Sequence, residues 1–198
     1  MPPKTVKGEY IETDTGNKVS RRAQVQGTQH IILGGKTVIQ ADVCIRGDLH
    51  RLQSSEPQGS GSSSASNSPA VAVSIGRYTY LSRSCLLRPP SRLHRGTQSY
   101  YPLKIGDHVF VGERAVVEAA SVGSYVHIGK DVVVGSMAIL KDYVQVLDGA
   151  VIAPGMVVPS WSVVGGAPAR VVGELGEGYG SEGADGGMSR DRYRSVGR

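Results

Sequence analysis

The residues best suited to metal binding or acid–base chemistry are five histidines and two cysteines in a chain of 198 residues. Zinc sites draw their ligands from such residues at characteristic short spacings. The histidines show no such spacing; they are His30, His50, His94, His108 and His127. Cys44 and Cys85 are too few for a disulfide framework, so we expect a reduced, intracellular protein.

A second chemical feature is a basic segment between Arg77 and Lys104, with six Lys or Arg and no Asp or Glu. The rest of the chain carries 16 positive and 17 negative residues. Arginine interleaved with tyrosine is the usual composition of an interface hot spot. We therefore predict docking to an acidic protein surface through Arg83, Arg92, Arg95, Tyr100 and Tyr101. A solvated positive face is the alternative. Nucleic acid is disfavoured because no recognised module surrounds the segment.

The residue composition indicates that the secondary-structure elements pack around a thin core. The chain has 27 Gly but only one Phe (Phe110) and one Trp (Trp161), whereas 47 residues are Val, Ile or Leu. Such a composition argues against long helices. The sequence contains no run of 18 apolar residues, so we predict no membrane-spanning helix. The first residues lack the apolar run of a signal peptide.

Branched aliphatic residues recur every six positions, with one residue dropped after Val117. Glycine often follows them, and a small or branched residue recurs four positions later, as at Ala115 and Val126. A period of six fits neither a helix nor one long strand. The eleven aliphatic positions are Ile105, Val111, Val117, Val122, Ile128, Val134, Leu140, Val146, Ile152, Val158 and Val164.

A short strand and a corner, repeated, account for this period, and three such units close a triangular coil. The pattern resembles the hexapeptide-repeat, left-handed parallel β-helix family, from which alone we take the handedness. We therefore predict an all-β fold, with the aliphatic residues pointing inward. Weaker series at 19–31, 33–45 and 75–87 extend it toward the N-terminus.

Two interruptions and a tail divide the chain. We predict an N-terminal segment at 1–18, a β-helix at 19–172 and a flexible Gly-rich tail at 173–198. Within the β-helix, the Gly/Ser-rich stretch predicts a disordered insertion at 51–72. Pro89, Pro90 and Pro102 predict an extruded basic loop at 88–104. We do not expect the Gly-rich residues 176–198 to form a helix easily.

The phrase Ile45-Arg46-Gly47-Asp48, followed by Ile75-Gly76, resembles the γ-carbonic anhydrase-like branch of the hexapeptide-repeat proteins. Arg46 and Asp48 are then a structural pair. Enzymes of that branch bind zinc through three histidines, and the corresponding positions here are Arg88, Glu113 and Glu118. Because a guanidinium cannot ligate zinc, we predict an ion-pair cluster, no cofactor and no catalytic residues.

Further phrases resemble the dynactin subunit 5 family of non-catalytic pointed-end subunits. They include 10–13, 16–21, the Arg-Pro-Pro of 88–90, 101–110, 123–130, 157–159 and 173–175. The resemblance implies assembly with dynactin subunit 6, dynactin subunit 4 and the pointed-end actin-related protein. It also implies filament-end capping, recognition of cargo such as endosomes for dynein-driven transport, and a cytoplasmic, microtubule-associated location. The family has no Gly/Ser insertion after the Arg-Gly-Asp phrase and usually ends in a helical tail.

The alternative is an enzyme, either γ-carbonic anhydrase-like or an acyltransferase. Hexapeptide acyltransferases carry a catalytic histidine on or near an extruded loop, which is the position of His94. The phrase Gly166-Ala167-Pro168-Ala169-Arg170 resembles their end-of-coil sequence, although it also simply terminates β-helices. We expect His108 and His127 to point outward. Cys85 falls on a small inward position and predicts a packed thiol.

Overall fold

A computed structural model describes residues 9–50, 70–94, 96–176, 179 and 187–196. The described chain contains 23 short strands, one 3-10 turn at Thr28–His30 and one helix. The strands are β1 Tyr10–Glu12, β2 Lys18–Ser20, β3 Gln24–Gln26, β4 Ile31–Leu33, β5 Val38–Ile39, β6 Cys44–Arg46, β7 Val73–Ile75, β8 Tyr80–Leu81, β9 Leu86–Leu87, β10 Ser91–His94, β11 Thr97–Tyr100, β12 Leu103–Ile105, β13 Phe110–Val111, β14 Val116–Val117, β15 Ser121–Val122, β16 His127–Ile128, β17 Val133–Val134, β18 Ile139–Leu140, β19 Gln145–Val146, β20 Val151–Ile152, β21 Val157–Val158, β22 Ser162–Gly165 and β23 Arg170–Glu174. The helix is α1, Gly187–Ser195.

Successive strands go to three different sheets in turn, so the chain winds as a three-sided prism. Face A stacks β2, β5, β8, β13, β16, β19 and β22 in parallel. Face B stacks β3, β6, β9, β14, β17 and β20, and face C stacks β4, β7, β12, β15, β18 and β21. The predicted parallel β-helix of hexapeptide repeats is confirmed. At the two ends of face A, β1 and β23 pair antiparallel with the terminal strands.

The core is a column of small branched side chains along the prism axis. All eleven aliphatic residues of the repeat are buried, none more than 5% exposed, so their predicted inward orientation is confirmed. The small positions four residues later, such as Ala115 and Val126, are buried as well. Each coil therefore fills the centre with residues of Val and Ile size, which leaves no room for large aromatic rings.

The corners that join the faces place one residue of each hexad in the left-handed backbone region. These residues stand three positions after the inward aliphatic, as His108 (φ 57°) follows Ile105 and Tyr125 (φ 57°) follows Val122. At Gly112 the approach of the next coil leaves no space for a side chain. A Cβ there would overlap the carbonyl oxygen of Gly129.

Several predicted boundaries need correction. Residues 10–12 of the N-terminal segment form β1, and β23 carries sheet structure to Glu174, beyond residue 172. Residues 51–69 of the insertion lie outside the described residues. Ala72, also assigned to the insertion, is buried, and its amide donates to the carbonyl of His30 (2.8 Å), because it already leads into β7.

The extruded segment is a β-hairpin, in which β10 pairs antiparallel with β11. Gly96, with φ 79°, lies in its turn. The hairpin returns to the coil earlier than residue 104, since Leu103 and Lys104 belong to β12 and pair with β7.

The expectation that the tail cannot easily form a helix is wrong for residues 187–195, which form α1. An isolated nine-residue helix is marginal in water, so the physical reason lies in its docking. Lys18 Nζ donates to the carbonyl oxygens of Tyr193 and Val196 at the C-terminal end of α1. A cation there satisfies free carbonyls and complements the helix dipole. No helix among the described residues is long and apolar enough to span a membrane.

Candidate functional site

The positions that resemble the zinc ligands lie on successive coils beside face B. Arg88 follows β9 and Glu118 follows β14, and these strands pair in register. Arg88 Nη1 lies 3.4 Å from Glu118 Oε1, and both side chains are partly exposed. The carboxylate of Glu113 is instead 4.0 Å from the guanidinium of Arg114. The structure therefore brings together two of the three residues.

These residues do not fit a zinc ion. A guanidinium keeps its proton and offers no lone pair, so Arg88 cannot ligate a metal. Within the part of the chain that the structure describes, no group of three His, Cys, Asp or Glu is arranged to hold one.

Arg46 and Asp48 form a bidentate ion pair at the C-terminal end of β6. Arg46 Nε donates to Asp48 Oδ1 (2.8 Å), and Arg46 Nη2 donates to Asp48 Oδ2 (2.7 Å). Hydrogen bonding from Arg46 lowers the pKa of the Asp48 carboxyl below its usual value. Both side chains are partly exposed, and the pair stands just before residues 51–69.

The residues expected to bind a partner lie in different surroundings. Arg92 is exposed on β10 of the hairpin, and Tyr100, at the end of β11, is half-buried within electrostatic range of Arg46. The charge of exposed Arg83 instead acts on the hydroxyls of Tyr10 and Tyr80, on face A. The backbone amide of Tyr101 donates to the carbonyl of Pro90 (2.9 Å), which holds the base of the hairpin. Arg95 lies outside the described residues.

An aromatic surface that the sequence analysis did not predict runs along face A and along the corner that joins face C to face A. Five rings stack on the corner, with centroids 4.1–5.1 Å apart and planes within 9° of parallel. We call these rings the corner ladder: Tyr78, His108, Tyr125, Tyr143 and Trp161.

A second stack lies on the outward side of face A. Phe110 lies between Tyr80 and His127, with centroid distances of 5.7 and 4.7 Å; we call these three rings the face ladder. A signal for both ladders was present, because aromatic residues recur at the same place of every third hexad. His108 and His127 point outward, as predicted, but they belong to these stacks.

Helix α1 packs on the two ladders through arginine and tyrosine. The Arg192 guanidinium lies 4.0 Å from the centroid of Phe110, and that of Arg190 lies 5.9 Å from Tyr78. Tyr193 Oη donates to the carbonyl oxygen of Gly16 (2.7 Å). Cation–π contacts of this kind each contribute about 0.5–2 kcal/mol. The outer aromatic face is therefore partly covered by the chain's own C-terminal helix.

The two other candidate reactive residues are Cys85 and His94. Burial in the apolar column raises the pKa of the Cys85 thiol to about 12. Cys85 is thus a packed, unreactive side chain at neutral pH. The backbone of His94 ends β10, and its side chain lies outside the described residues.

Comparisons with known proteins identify the family. The family model for Dynactin subunit 5 matches residues 4–69 and 64–182. Dynactin subunit 5 of Dictyostelium discoideum is 40% identical over 118 residues, which are 60% of this chain and 49% of that protein. The chain therefore matches about half the length of this curated relative.

Solved structures agree on the fold. A hexapeptide transferase family protein from Anaplasma phagocytophilum aligns with a TM-score of 0.60 at 16% identity, over 91% of this chain and 92% of its own. A point mutant of perosamine N-acetyltransferase from Caulobacter crescentus aligns with a TM-score of 0.54, also at 16% identity, over 80% of this chain and 57% of its own. At such identity the likeness extends to the β-helix alone. On its family match, the chain belongs to the Dynactin subunit 5 family.

Proposed function

We propose that this chain is a non-catalytic structural subunit of the dynactin pointed-end complex. The observation that carries the proposal is the family match over residues 4–182. In this role the β-helix is a rigid block that contributes to capping the filament end and to recognising cargo such as endosomes for dynein-driven transport. Its place of action is the microtubule-associated cytoplasm.

The chemistry of the candidate site supports a structural role. Arg88 occupies the first position that resembles a zinc ligand and is paired with Glu118. The thiol of Cys85 is buried in the column. A prism with a continuous apolar interior also suits a subunit whose function is to hold surfaces at fixed distances.

The partners that we propose are dynactin subunit 6, dynactin subunit 4 and the pointed-end actin-related protein. The basic hairpin, with exposed Arg92 and half-buried Tyr100, is the proposed contact with an acidic surface on one of them. The Arg46–Asp48 pair follows β6, which pairs with β9, the strand before the hairpin, and we propose it as a structural element beside that contact.

Affinity purification of the tagged chain from cells tests the role. We expect recovery of the other dynactin subunits. Recovery of none of them, with the chain running as a free homotrimer, would contradict the proposal.

Charge reversal tests the contact. Reversing Arg92 and Arg95 together to Glu should reduce that recovery while leaving the melting temperature unchanged. Reversing two exposed lysines, Lys130 and Lys141, together to Glu is the control with the same change in net charge and should leave recovery as it is. Equal recovery of the dynactin subunits with both variants would favour the alternative, that the basic hairpin is a solvated surface.

The enzyme alternative is tested on the same purified protein. Metal analysis and an acetyl-CoA binding assay should both be negative. Stoichiometric zinc, or acetyl-CoA binding that is lost in His94→Ala, would favour an enzyme.

A further inference from the structure

A cavity of about 200 Å³ lies between α1 and the ladders of face A. A single water needs roughly 10–15 Å³ of such space, so the cavity has room for a small molecular ion. Rings of both ladders form its floor, and Ser189 and Arg192 of α1 form part of its roof together with Tyr179. The strand-side polar groups come from His108, His127 and Gln145.

The side chains around the cavity are suited to an anion. None of the described residues that line it is Asp or Glu, and one of them is the guanidinium of Arg192. The acids whose charge acts on the two imidazoles are Asp107, for His108, and Asp148, for His127. The Oδ1 of each accepts a hydrogen bond from a backbone amide, that of Arg77 (2.6 Å) for Asp107 and that of Lys130 (2.7 Å) for Asp148, and neither Asp lines the cavity.

Arg192 is a half-buried cation whose closest described partner is a ring. It lies over Phe110 at 4.0 Å, and no described carboxylate pairs with it. Burial lowers the pKa of Arg192, since the protonated guanidinium is desolvated there. Removing a charge from water without a counter-charge is unfavourable. An anion in the cavity would supply that counter-charge.

The two imidazoles are neutral hydrogen-bonding groups in this environment. Burial is the main cause that lowers the pKa of both, and the charge of Arg192 lowers that of His127 further. Nδ1 of His108 is buried and has no hydrogen-bond partner among the described residues. A neutral imidazole can donate one hydrogen bond, and Ser189 and Tyr179 each carry a hydroxyl donor.

We propose that this cavity binds a phosphate group, held between Arg192 of α1 and the imidazoles of His108 and His127. Donors on several sides suit the four oxygens of a tetrahedral ion better than the two oxygens of a carboxylate. Arginine is also the side chain that best matches phosphate geometry. Because one side of the site is α1 and the other is face A, the bound group would fasten the helix to the β-helix. This proposal stands independently of assembly with dynactin.

Phosphate titration of the full-length chain tests the site. Inorganic phosphate at pH 7, against sodium chloride of equal ionic strength, should bind saturably in calorimetry and raise the melting temperature. Arg192→Gln should weaken binding at least tenfold. The matched control is Arg194→Gln on the same helix, because Arg194 is 74% exposed, and it should stay within twofold of wild type. Absence of saturable binding, or equal binding by Arg192→Gln and wild type, would overturn the proposal.

A second variant distinguishes the loss of a phosphate contact from detachment of α1. His127→Phe keeps a ring in the face ladder but removes the donor, and it should weaken phosphate binding about fivefold. Amide hydrogen exchange of α1 should remain as slow as in wild type. Unchanged phosphate binding in His127→Phe would place the ion on the helix alone and overturn the cavity as the site.

O-phosphoserine distinguishes a phosphorylated side chain from the free ion as the source. If O-phosphoserine binds more strongly than inorganic phosphate, the proposal holds and the ligand is a phosphorylated side chain. If inorganic phosphate binds more strongly, the proposal holds and the ligand is the free ion. Binding of neither contradicts the proposal.

Discussion

The interior of the prism and its outer face A are built on the same strands but pack in different ways. Inside, identical positions of successive coils carry interchangeable residues, such as Ile128 and Val146, that are wholly buried. Outside, His127 and Phe110 stack as specific rings, and α1 covers them through Arg192. The interior is therefore specified by a repeat, whereas the outer face is specified by particular partners.

Thiol chemistry should separate the interior from the outer surface of the prism most strongly. With a pKa of about 12, Cys85 has a thiolate fraction near 10⁻⁴ at pH 8, about a thousandfold below that of an ordinary thiol. Cys44 is partly exposed on the outer side of face B. A colorimetric thiol assay should titrate one thiol per native chain and two in denaturant. Rapid titration of both in the native state would mean that the interior opens readily.

Truncation of the column should cost the most stability. Ile128→Ala removes a fully buried side chain, and such changes cost about 2–5 kcal/mol. Val133→Ala, at an outward position that is 40% exposed, is the control and should cost below about 1 kcal/mol. Urea unfolding measures both variants. Equal losses would show that the interior and the outside are not energetically distinct.

The close approach of coils gives the next largest effect. Gly112→Ala would place a Cβ against a backbone oxygen of the next coil, and overpacking of this kind costs about 1–3 kcal/mol. Gly149→Ala meets nothing within 4 Å and costs only the left-handed conformation, about 1 kcal/mol. Gly112→Ala should lose more free energy of unfolding than Gly149→Ala, whether unfolding is induced by urea or by heat. A larger loss in Gly149→Ala would contradict the stacking.

The outer face should respond locally. Tyr193→Phe removes the hydroxyl that donates to Gly16, which is worth about 1 kcal/mol. Amide exchange in α1 should accelerate about fivefold, while exchange in β13 and β16 stays unchanged. Accelerated exchange throughout the prism would show that α1 is part of the cooperative core.

The ion pair at the positions that resemble zinc ligands should contribute least. Because Arg88 and Glu118 are 39% and 27% exposed and 3.4 Å apart, Arg88→Ala should cost below about 1 kcal/mol. A fully buried pair would have cost more than this. A double-mutant cycle with Glu118→Ala isolates the coupling. A coupling above about 2 kcal/mol would mean that the pair is shielded from water.

The same contrast explains which features were predictable. The eleven inward residues follow from their period alone, since every coil imposes the same requirement on them. The corner ladder was predictable only in part. Three hexads make one coil, so Tyr125 and Tyr143 occupy the same place in neighbouring coils. That their rings stack depends on the orientation of the side chains, which the period of six does not determine. Helix α1 has little intrinsic tendency to form, so it depends on Lys18 and Gly16, far away in the sequence.

The central claim, that this chain is a structural subunit of dynactin, is tested most directly by sedimentation of an extract that contains the chain at its native level. We predict that the chain co-sediments with the other dynactin subunits in one large complex and leaves little free protein. A chain that sediments alone, at the size of a monomer or homotrimer, while the other dynactin subunits sediment together without it, would contradict the account.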